Sequence, residues 1–403
     1  MLLNVLEIGT DRFTSGDLSR QRLLKKRRLE YSKYLKSLTL VLNSCEYTNN
    51  GYKSEKEAEN IEVHYVYSRA RYYLINIMYP FRVFKLCRKI CQNKNVDVIS
   101  AQDPFISGII AYFLKRKVRA SLNIQIHTDI FNNKAWIAGV GGAIYAFIYN
   151  IIAKFTIKKA DTIRVVSEKL KERLGELGIE SSKICIVPTP IDISNFENLD
   201  DVKINLLRDK MLQNKFKKII LFIGRLSEEK NISLLIKAFS LVLIQFPEIN
   251  LLIVGKGDRE DTLRKEAESL GISKNVIWAG AVEYSEIPYF YRICDVFVLP
   301  SLTEARGSVL VEAALSKKPI IVTNIAGAKD CVIDNRTGFI IDHNNHRQLA
   351  EKIIFLLNNP EIAKQFGETG NSFVLENLKI NNDIKAVISC WEQMDIIGHQ
   401  LTK

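Results

Sequence analysis

The sequence predicts an α/β protein made of two doubly wound parallel sheets, one in each half of the chain. Two observations carry this prediction. Short apolar runs alternate along the chain with longer helical patterns, and the connections between them are brief, which is how successive βαβ units read. At 403 residues the chain is also too long for one ordinary core and suggests two domains.

In the first half, strands are expected at 2–8, 38–43, 61–67, 96–100, 121–126, 161–166 and 184–187. Helices fill 18–36, 72–94, 105–116, 140–159 and 167–178. The second half repeats the alternation, with strands near 218–224, 250–254, 276–278, 295–299, 319–323 and 338–341. Asn195–Asn214 is polar and lacks a strand pattern, so it reads as a linker. The expected division is 1–194, a linker at 195–214, 215–380, and a helical tail at 381–403.

The composition is that of an ordinary globular protein, 47% hydrophobic and 25% charged, with neither repeats nor low complexity. Seven scattered cysteines without a Cys-x2-Cys pair point to a reducing, cytoplasmic compartment, with Cys87 and Cys91 packed on one helix face. Met1–Ile8 reads as a first strand and not as a signal peptide. The net charge of +12 is uneven: residues 1–160 hold 26 Lys and Arg against 12 Asp and Glu, the remainder 31 against 33. An anionic partner for the first half follows, and nucleic acid, an anionic bilayer or a phosphate-bearing acceptor would each serve. No nucleic-acid motif is present, so a membrane surface or lipid is preferred to nucleic acid, with peripheral attachment at the inner face of the cell membrane.

Trp136–Ala153 is uncharged for 18 residues, the lower limit for a membrane span. Gly139, Gly141 and Gly142 and its place between two expected strands favour a buried or surface-lying helix. Arg20–Arg28, with Leu23, Leu24 and Leu29 interleaved, reads as an amphipathic helix with a basic outer face. Asp342, His343 and His346 have a metal-like spacing but sit in a polar, Asn-rich loop, and a solvated loop is the expectation.

The segment PSLTEARGSVLVEAALSKKPIIV (Pro300–Val322) carries the most chemical information. Glu304 and Glu312 stand eight residues apart where one expected strand ends and a loop opens into a helix. Such strand ends hold phosphorylated ligands in α/β sheets. Glu312 is surrounded in sequence by Val309, Leu310, Val311, Ala313, Ala314 and Leu315, and a carboxylate among these needs a partner if buried. Arg225 and Lys230 follow the strand at 218–224 and bring two cations to the same sheet edge; taken alone, they also read as a solvated pair on a helix start. Gly255 and Gly257 allow either a tight turn or close approach of a ligand. Glu260 stands where a dinucleotide fingerprint would want a third glycine, which disfavours a Rossmann cofactor site. His127 ends the run Leu122–Ile126, at a strand end that faces a cleft in a doubly wound domain; a histidine bonded to a neighbouring loop is the plainer alternative.

Taken in order, FIGRLSEEKN (Phe222–Asn231), LLIVGKGD (Leu251–Asp258), DVFVLPS (Asp295–Ser301), the Glu304-x7-Glu312 pair and IAGAKDCVIDNRTGFII (Ile325–Ile341) resemble the retaining glycosyltransferases of family 4. The match covers Lys218–Leu357 well and the first 200 residues in outline. It implies the GT-B fold, two Rossmann-like domains facing across a cleft, with the tail crossing back to the first. It also implies retaining transfer from a nucleotide-sugar donor to a glycan or lipid-linked acceptor, as in surface polysaccharide or glycoconjugate biosynthesis, with no metal or other cofactor.

The resemblance places Arg225 and Lys230 on the donor diphosphate, Glu304 on the donor sugar, Glu312 on the ribose diol and His127 against the sugar. The N–H groups of Arg306, Gly307 and Ser308 would face the phosphate, and Gly9, Thr10, Ser15 and Gly16 would form the acceptor-side loop. Three departures stand out. Glu304-Ala305-Arg306-Gly307 replaces the family's usual Glu-Gly-Phe-Gly, Thr189-Pro190 replaces Asn-Gly, and the acceptor loop lacks a Gly-Gly pair. A nucleotide-sugar epimerase of the same fold, a phosphorylase or an inactive binding subunit are the rival readings. A pyridoxal-type phosphorylase would need a Schiff-base lysine that no segment singles out.

Overall fold

The structure is a computed structural model that describes residues 2–13, 18–44, 51–67, 78–127, 130, 142–188, 191, 193–212, 218–304, 307–325, 327–377 and 384–392. Packing divides the chain into two compact units, Met1–Pro188 with Asn381–Lys403, and Thr189–Ile380.

The first unit runs β1 (Asn4–Phe13), α1 (Leu18–Tyr31), β2 (Ser37–Ser44), β3 (Tyr52–Ala58), β4 (Ile61–Tyr67), α2 (Met78–Asn93), β5 (Val98–Ala101), α3 (Ile106–Lys115), β6 (Ser121–Ile126), α4 (Gly142–Lys159), β7 (Thr162–Val165), α5 (Glu168–Glu176) and β8 (Ile184–Ile186). Its sheet has the order β3-β4-β2-β1-β5-β6-β7-β8. All pairs are parallel except β3 with β4. The expected strands are present within a few residues of the expected limits, and β3 is an addition. Its sequence, Tyr-Lys-Ser-Glu-Lys-Glu-Ala, is mostly exposed and nearly devoid of apolar side chains, as suits an edge strand guarded by charge.

The second unit runs α6 (Asp201–Leu212), β9 (Lys218–Ile223), α7 (Ile232–Gln245), β10 (Ile249–Val254), α8 (Glu260–Ser269), β11 (Val276–Gly280), α9 (Ile287–Ile293), β12 (Val296–Leu299), α10 (Ser308–Leu315), β13 (Ile320–Thr323), α11 (Ala328–Cys331), β14 (Gly338–Ile341), α12 (His346–Asn358) and α13 (Pro360–Asn377). The strand order is β11-β10-β9-β12-β13-β14, all parallel. The inner strands are mostly apolar because crossover helices cover both faces; Ile219–Phe222 and Leu251–Ile253 are wholly buried.

Three aspartates recur at equivalent places. Asp97, Asp161 and Asp295 each stand just ahead of β5, β7 or β12 and clasp the first residues of the neighbouring strand. Their carboxylates accept the N–H of Asn4, Leu122 and Ile219, each at 2.7 Å. Their own N–H groups donate back to the carbonyls of the same residues at 2.8–2.9 Å. Each clasp fixes a strand pair in one register.

The expected linker at 195–214 is corrected. Ile193–Phe196 is a short 3-10 turn and Asp201–Leu212 a helix, and both belong to the second unit, whose boundary falls after Pro188. Polar surface residues hid the pattern: Met211 is the only buried residue of α6, with Ile204 and Leu207 packed partly on the core. The basic outer face expected for Arg20–Arg28 is corrected at Arg28, which turns inward to a two-pronged ion pair with Glu57 on β3 at 2.5–2.6 Å. The side chains of residues 18–23 lie outside the described ones. Of the Trp136–Ala153 stretch, 136–141 lies outside the described residues and the rest begins α4. Among the described residues no helix is long and apolar enough to cross a membrane.

The tail does return to the first unit. Its helix (384–392) sets Ile384, Val387, Ile388 and Trp391 into a core with Leu3, Val5, Leu38, Leu40 and Val63. Trp391 is 1% exposed, its ring lies 5.8 Å from that of Tyr31, and its indole N–H donates to Asn123 Oδ1 at 3.3 Å. Trp391→Ala is expected to remove about 3–5 kcal/mol from the first unit by emptying that site. In urea unfolding, the transition of the first unit should shift to lower denaturant while that of the second, whose core shares none of these residues, stays in place.

Candidate functional site

In the second sheet the chain builds outward from β9 to β10 and β11, then returns to the other side of β9 with β12. The crevice beyond the C-terminal ends of β9 and β12 is therefore the switch point, where α/β sheets bind ligands. The structure brings two of the sequence-predicted residues together there. Lys230 Nζ, from the turn after β9, is ion-paired with Glu304 Oε1, from the loop after β12. Both side chains are largely buried, 18% and 14% exposed. Ser301 Oγ donates to the same carboxylate at 3.0 Å, and the Ser301 carbonyl accepts from Thr323 Oγ1 at the end of β13. Leu302 N–H donates to Glu229 O at 2.8 Å. Three strand-end loops are thus laced into one floor.

Arg225 differs from Lys230. Its side chain is 74% exposed and its guanidinium lies 3.9 Å from Glu229, so it is not held in that floor. In the same turn Ser227 Oγ is buried without a hydrogen-bond partner among the described residues, a polar atom that no motif singled out.

Gly255 and Gly257 answer the choice between a turn and a ligand contact through their own backbone surroundings. A Cβ on Gly255, which has φ +140°, would lie 1.8 Å from Gly224 O; one on Gly257 would lie 2.1 Å from Leu226 O. The loops after β9 and β10 are laid directly against each other, with Gly224 N–H on Val254 O and Leu226 N–H on Lys256 O, both at 3.0 Å. Glycine is required there by the packing of the loop after β10 against the loop that carries Arg225 and Lys230.

Gly307 caps α10 in the left-handed region at φ +69°, and Ser308 opens the helix exposed. First-turn N–H groups have no partners within their own helix, which makes this end a place for an anion. Ala305 and Arg306 lie outside the described residues. One turn further on, Glu312 is 5% exposed. Its carboxylate takes hydrogen bonds from Tyr291 at 3.1 Å and Tyr284 at 3.4 Å. Burial pushes its pKa up to about 7, against the pull of the two hydroxyls. These tyrosines were missed in the sequence: they sit in an aromatic run, Tyr284–Tyr291, that carries no spacing mark of a site. In the loop after β14, Asn345 is used to cap α12 by accepting Gln348 N–H at 2.9 Å, and Asp342 N–H donates to Gln348 Oε1.

In the first unit the sheet order reverses between β1 and β5, and polar groups gather there as well. Glu7 accepts from Gln102 at 2.7 Å and from Gln125 at 3.3 Å. Arg164, 2% exposed, donates to Gln125 Oε1 at 2.9 Å and to the carbonyls of Val187 and Pro188 at 3.0 and 3.1 Å. Buried as it is, Glu7 has its pKa raised despite Arg27 and Arg164. His127, half-buried at the end of β6, is pushed down to about 3 by burial and then by Arg164 and Arg27, so its imidazole is neutral at ordinary pH. A Cβ on Gly9 would come 2.4 Å from Gln102 Oε1, so a side chain there would displace Gln102, which is bonded to Glu7. Ser15 and Gly16 lie outside the described residues, as does the side chain of Thr10.

The buried Glu312 has a consequence for stability. Unfolded, it titrates near 4.5; folded, near 7. Below the lower value both states are protonated. Between the two the unfolded chain releases a proton that the fold retains, so stability falls as pH rises, by about 3 kcal/mol once above the upper value. Glu312→Gln is neutral throughout, so it should melt higher than the parent at pH 8 and close to it at pH 5. Thermal unfolding of both at the two pH values measures this.

Comparison with known proteins agrees with the geometry. Residues 203–373 match the family model described as glycosyl transferases group 1, and residues 45–195 match that of glycosyltransferase family 4. The chain is similar to the capsular polysaccharide biosynthesis glycosyltransferase CapM of Staphylococcus aureus, 27% identical over 64% of this chain and 66% of that protein. It is also similar to the alpha-monoglucosyldiacylglycerol synthase of Streptococcus pneumoniae, 24% identical over 75% of this chain and 72% of that one. Among solved structures it resembles Anabaena HepE in complex with UDP-glucose, with a TM-score of 0.73 at 17% identity, covering 96% of this chain and 99% of that one. The chain belongs to the group 1, family 4 glycosyltransferases, and is an enzyme of the GT-B fold.

Proposed function

We propose that the protein transfers a sugar, with retention of configuration, from a nucleoside-diphosphate sugar to a glycan or lipid-linked acceptor of surface polysaccharide or glycolipid synthesis. The observation that carries this is the Lys230–Glu304 pair at the β9/β12 switch point, followed by the start of α10. A uridine diphosphate sugar is the first donor to test, since Anabaena HepE binds UDP-glucose. The names of CapM and of the glucosyldiacylglycerol synthase support the acceptor class.

In this reading the bond from the anomeric carbon to the donor phosphate oxygen breaks as an acceptor hydroxyl oxygen attaches to the same face, and the hydroxyl's proton passes to the departing phosphate oxygen. Charge then grows on the departing diphosphate. Lys230, Arg225 and the first N–H groups of α10 meet it, which makes a metal ion unnecessary. Glu304 holds the sugar hydroxyls and Glu312, oriented by Tyr284 and Tyr291, holds the ribose diol. His127 lies against the sugar as a neutral imidazole, which avoids placing a cation beside a carbon that becomes positive. The acceptor binds the basic first unit, through Gly9 and Thr10, which lie in the second half of β1 and not in the expected loop after it, and through Gly16. The reaction belongs on the cytoplasmic side of the membrane.

Arg225→Ala and Lys230→Ala are each expected to lower turnover by about a hundredfold, the usual loss for one preorganised stabiliser of developing charge. A chelator should leave turnover of the parent unchanged, and a strict need for a divalent ion would contradict this account of the leaving group. Transfer assays on the variants, with and without chelator, provide both measurements.

The two glutamates should separate by assay. Glu312→Gln weakens binding of the nucleoside diphosphate itself, because the ribose is present with or without the sugar. Glu304→Gln leaves that affinity nearly unchanged and lowers turnover. Calorimetric titration with uridine diphosphate, set beside transfer rates, distinguishes the roles; the reverse pattern would exchange them.

A further inference from the structure

The helices α2, α3 and α4 carry four, one and three Lys or Arg residues respectively, and not one Asp or Glu. They connect β4 to β5, β5 to β6 and β6 to β7, all progressing in the same direction across the sheet. Right-handed crossovers therefore place all three on one face, and α3 packs against α2 on one side and α4 on the other. The layer presents large apolar side chains to solvent: Phe81 is 65% exposed, Phe113 50%, Phe147 66% and Ile151 53%. Phe113 and Phe155 are joined through Tyr112, whose ring lies 5.4 and 5.0 Å from theirs, so the apolar surfaces of α3 and α4 are continuous.

Exposed cations surround these side chains. Lys85, Arg88 and Lys89 stand on α2, and Lys154, Lys158 and Lys159 on α4. None of the six has an ion-pair partner among the described residues. The described acids in the adjoining loops are engaged elsewhere. Asp97 and Asp161 clasp neighbouring strands, Asp161 also holds Lys115, and Asp103 takes the N–H groups of Phe105 and Ser107.

We propose that this layer of α2, α3 and α4 is a docking surface for an anionic lipid bilayer. Protruding phenylalanines on a helical layer suit insertion at the boundary of headgroups and acyl chains, while lysines and arginines beside them lie at the level of lipid phosphates. A soluble polyanion would use the cations and gain nothing from Phe147 or Ile151. The surface lies apart from Arg28, which is already ion-paired with Glu57. It extends the lipid-linked acceptor reading by placing the first unit on the membrane that holds such acceptors. It can be tested without any donor, so failure of one leaves the other standing.

The test is co-sedimentation of the full chain with vesicles of phosphatidylcholine alone and with added phosphatidylglycerol. Binding is expected only to the anionic vesicles, and it should weaken as salt shortens the reach of the charges. Two variants share the expected result. Phe81→Ser/Phe147→Ser/Ile151→Ser and Lys85→Glu/Lys89→Glu/Lys154→Glu/Lys158→Glu should each bind at least roughly tenfold more weakly. Urea midpoints equal to that of the parent exclude unfolding as the cause, and a variant whose midpoint falls is replaced by its single substitutions. Absence of binding to anionic vesicles at low salt overturns the proposal. So does equal binding to neutral vesicles, or undiminished binding by either variant. Loss in the charge variant alone assigns the surface to a soluble polyanion.

Discussion

Parallel strands share no tight turn, so nothing local sets how far one is advanced along its neighbour. In this protein the three aspartate clasps do so, each by a carboxylate and an amide on the same residue of the adjacent strand. A slip of one residue would turn every inward side chain outward and move the strand end by about 3.3 Å. The clasp of Asp295 on Ile219 joins β12 to β9, the two strands whose end loops carry Glu304 and Lys230. The meeting of that carboxylate and that ammonium, separated by 74 positions in the chain, depends on a hydrogen bond at the opposite end of the sheet.

The two sheets resolve the same topological situation with different chemistry. Where strand order reverses in the first unit, Glu7, Gln102, Gln125 and Arg164 form a connected polar set, the last two buried. Such a set is rigid, because every member loses its partners if one moves. Where order reverses in the second unit, an ion pair lies at the bottom of a crevice with an exposed arginine beside it. That arrangement leaves charges able to exchange their partner for a ligand. The glycines between the loops serve this placement: side chains at Gly255 or Gly257 would force the loops apart.

Nearly all of the strands were legible because a buried parallel strand is an unbroken apolar run, and the ends of β9, β12 and β13 carried the motif residues. What escaped did so for identifiable reasons. The edge strand β3 is held by pairing with β4, so its side chains did not need to be apolar. The helix α6 buries too few side chains to show a periodic face over 201–212. Glu304 and Glu312 could be named from spacing, but their partners could not. Glu304 is paired with Lys230, a contact that spacing did not show, and the hydroxyls that hold Glu312 come from an aromatic run separated from it by a strand. The inward turn of Arg28 rests on Glu57, a residue of the strand that the pattern did not reveal.

The helix at 384–392 makes the first unit a discontinuous object, interrupted by the whole of the second. During synthesis the second unit can complete its core from one uninterrupted stretch, whereas the first waits for residues made last. At roughly 5–20 residues per second, Trp391 follows Pro188 by about 10–40 s. Throughout that interval the apolar face formed by Leu3, Val5, Leu38 and Leu40 has no cover, and Asn123 lacks its indole partner. The nascent first unit is therefore a natural client for a chaperone that shields apolar surface, and the order of completion runs from the middle of the chain to its ends.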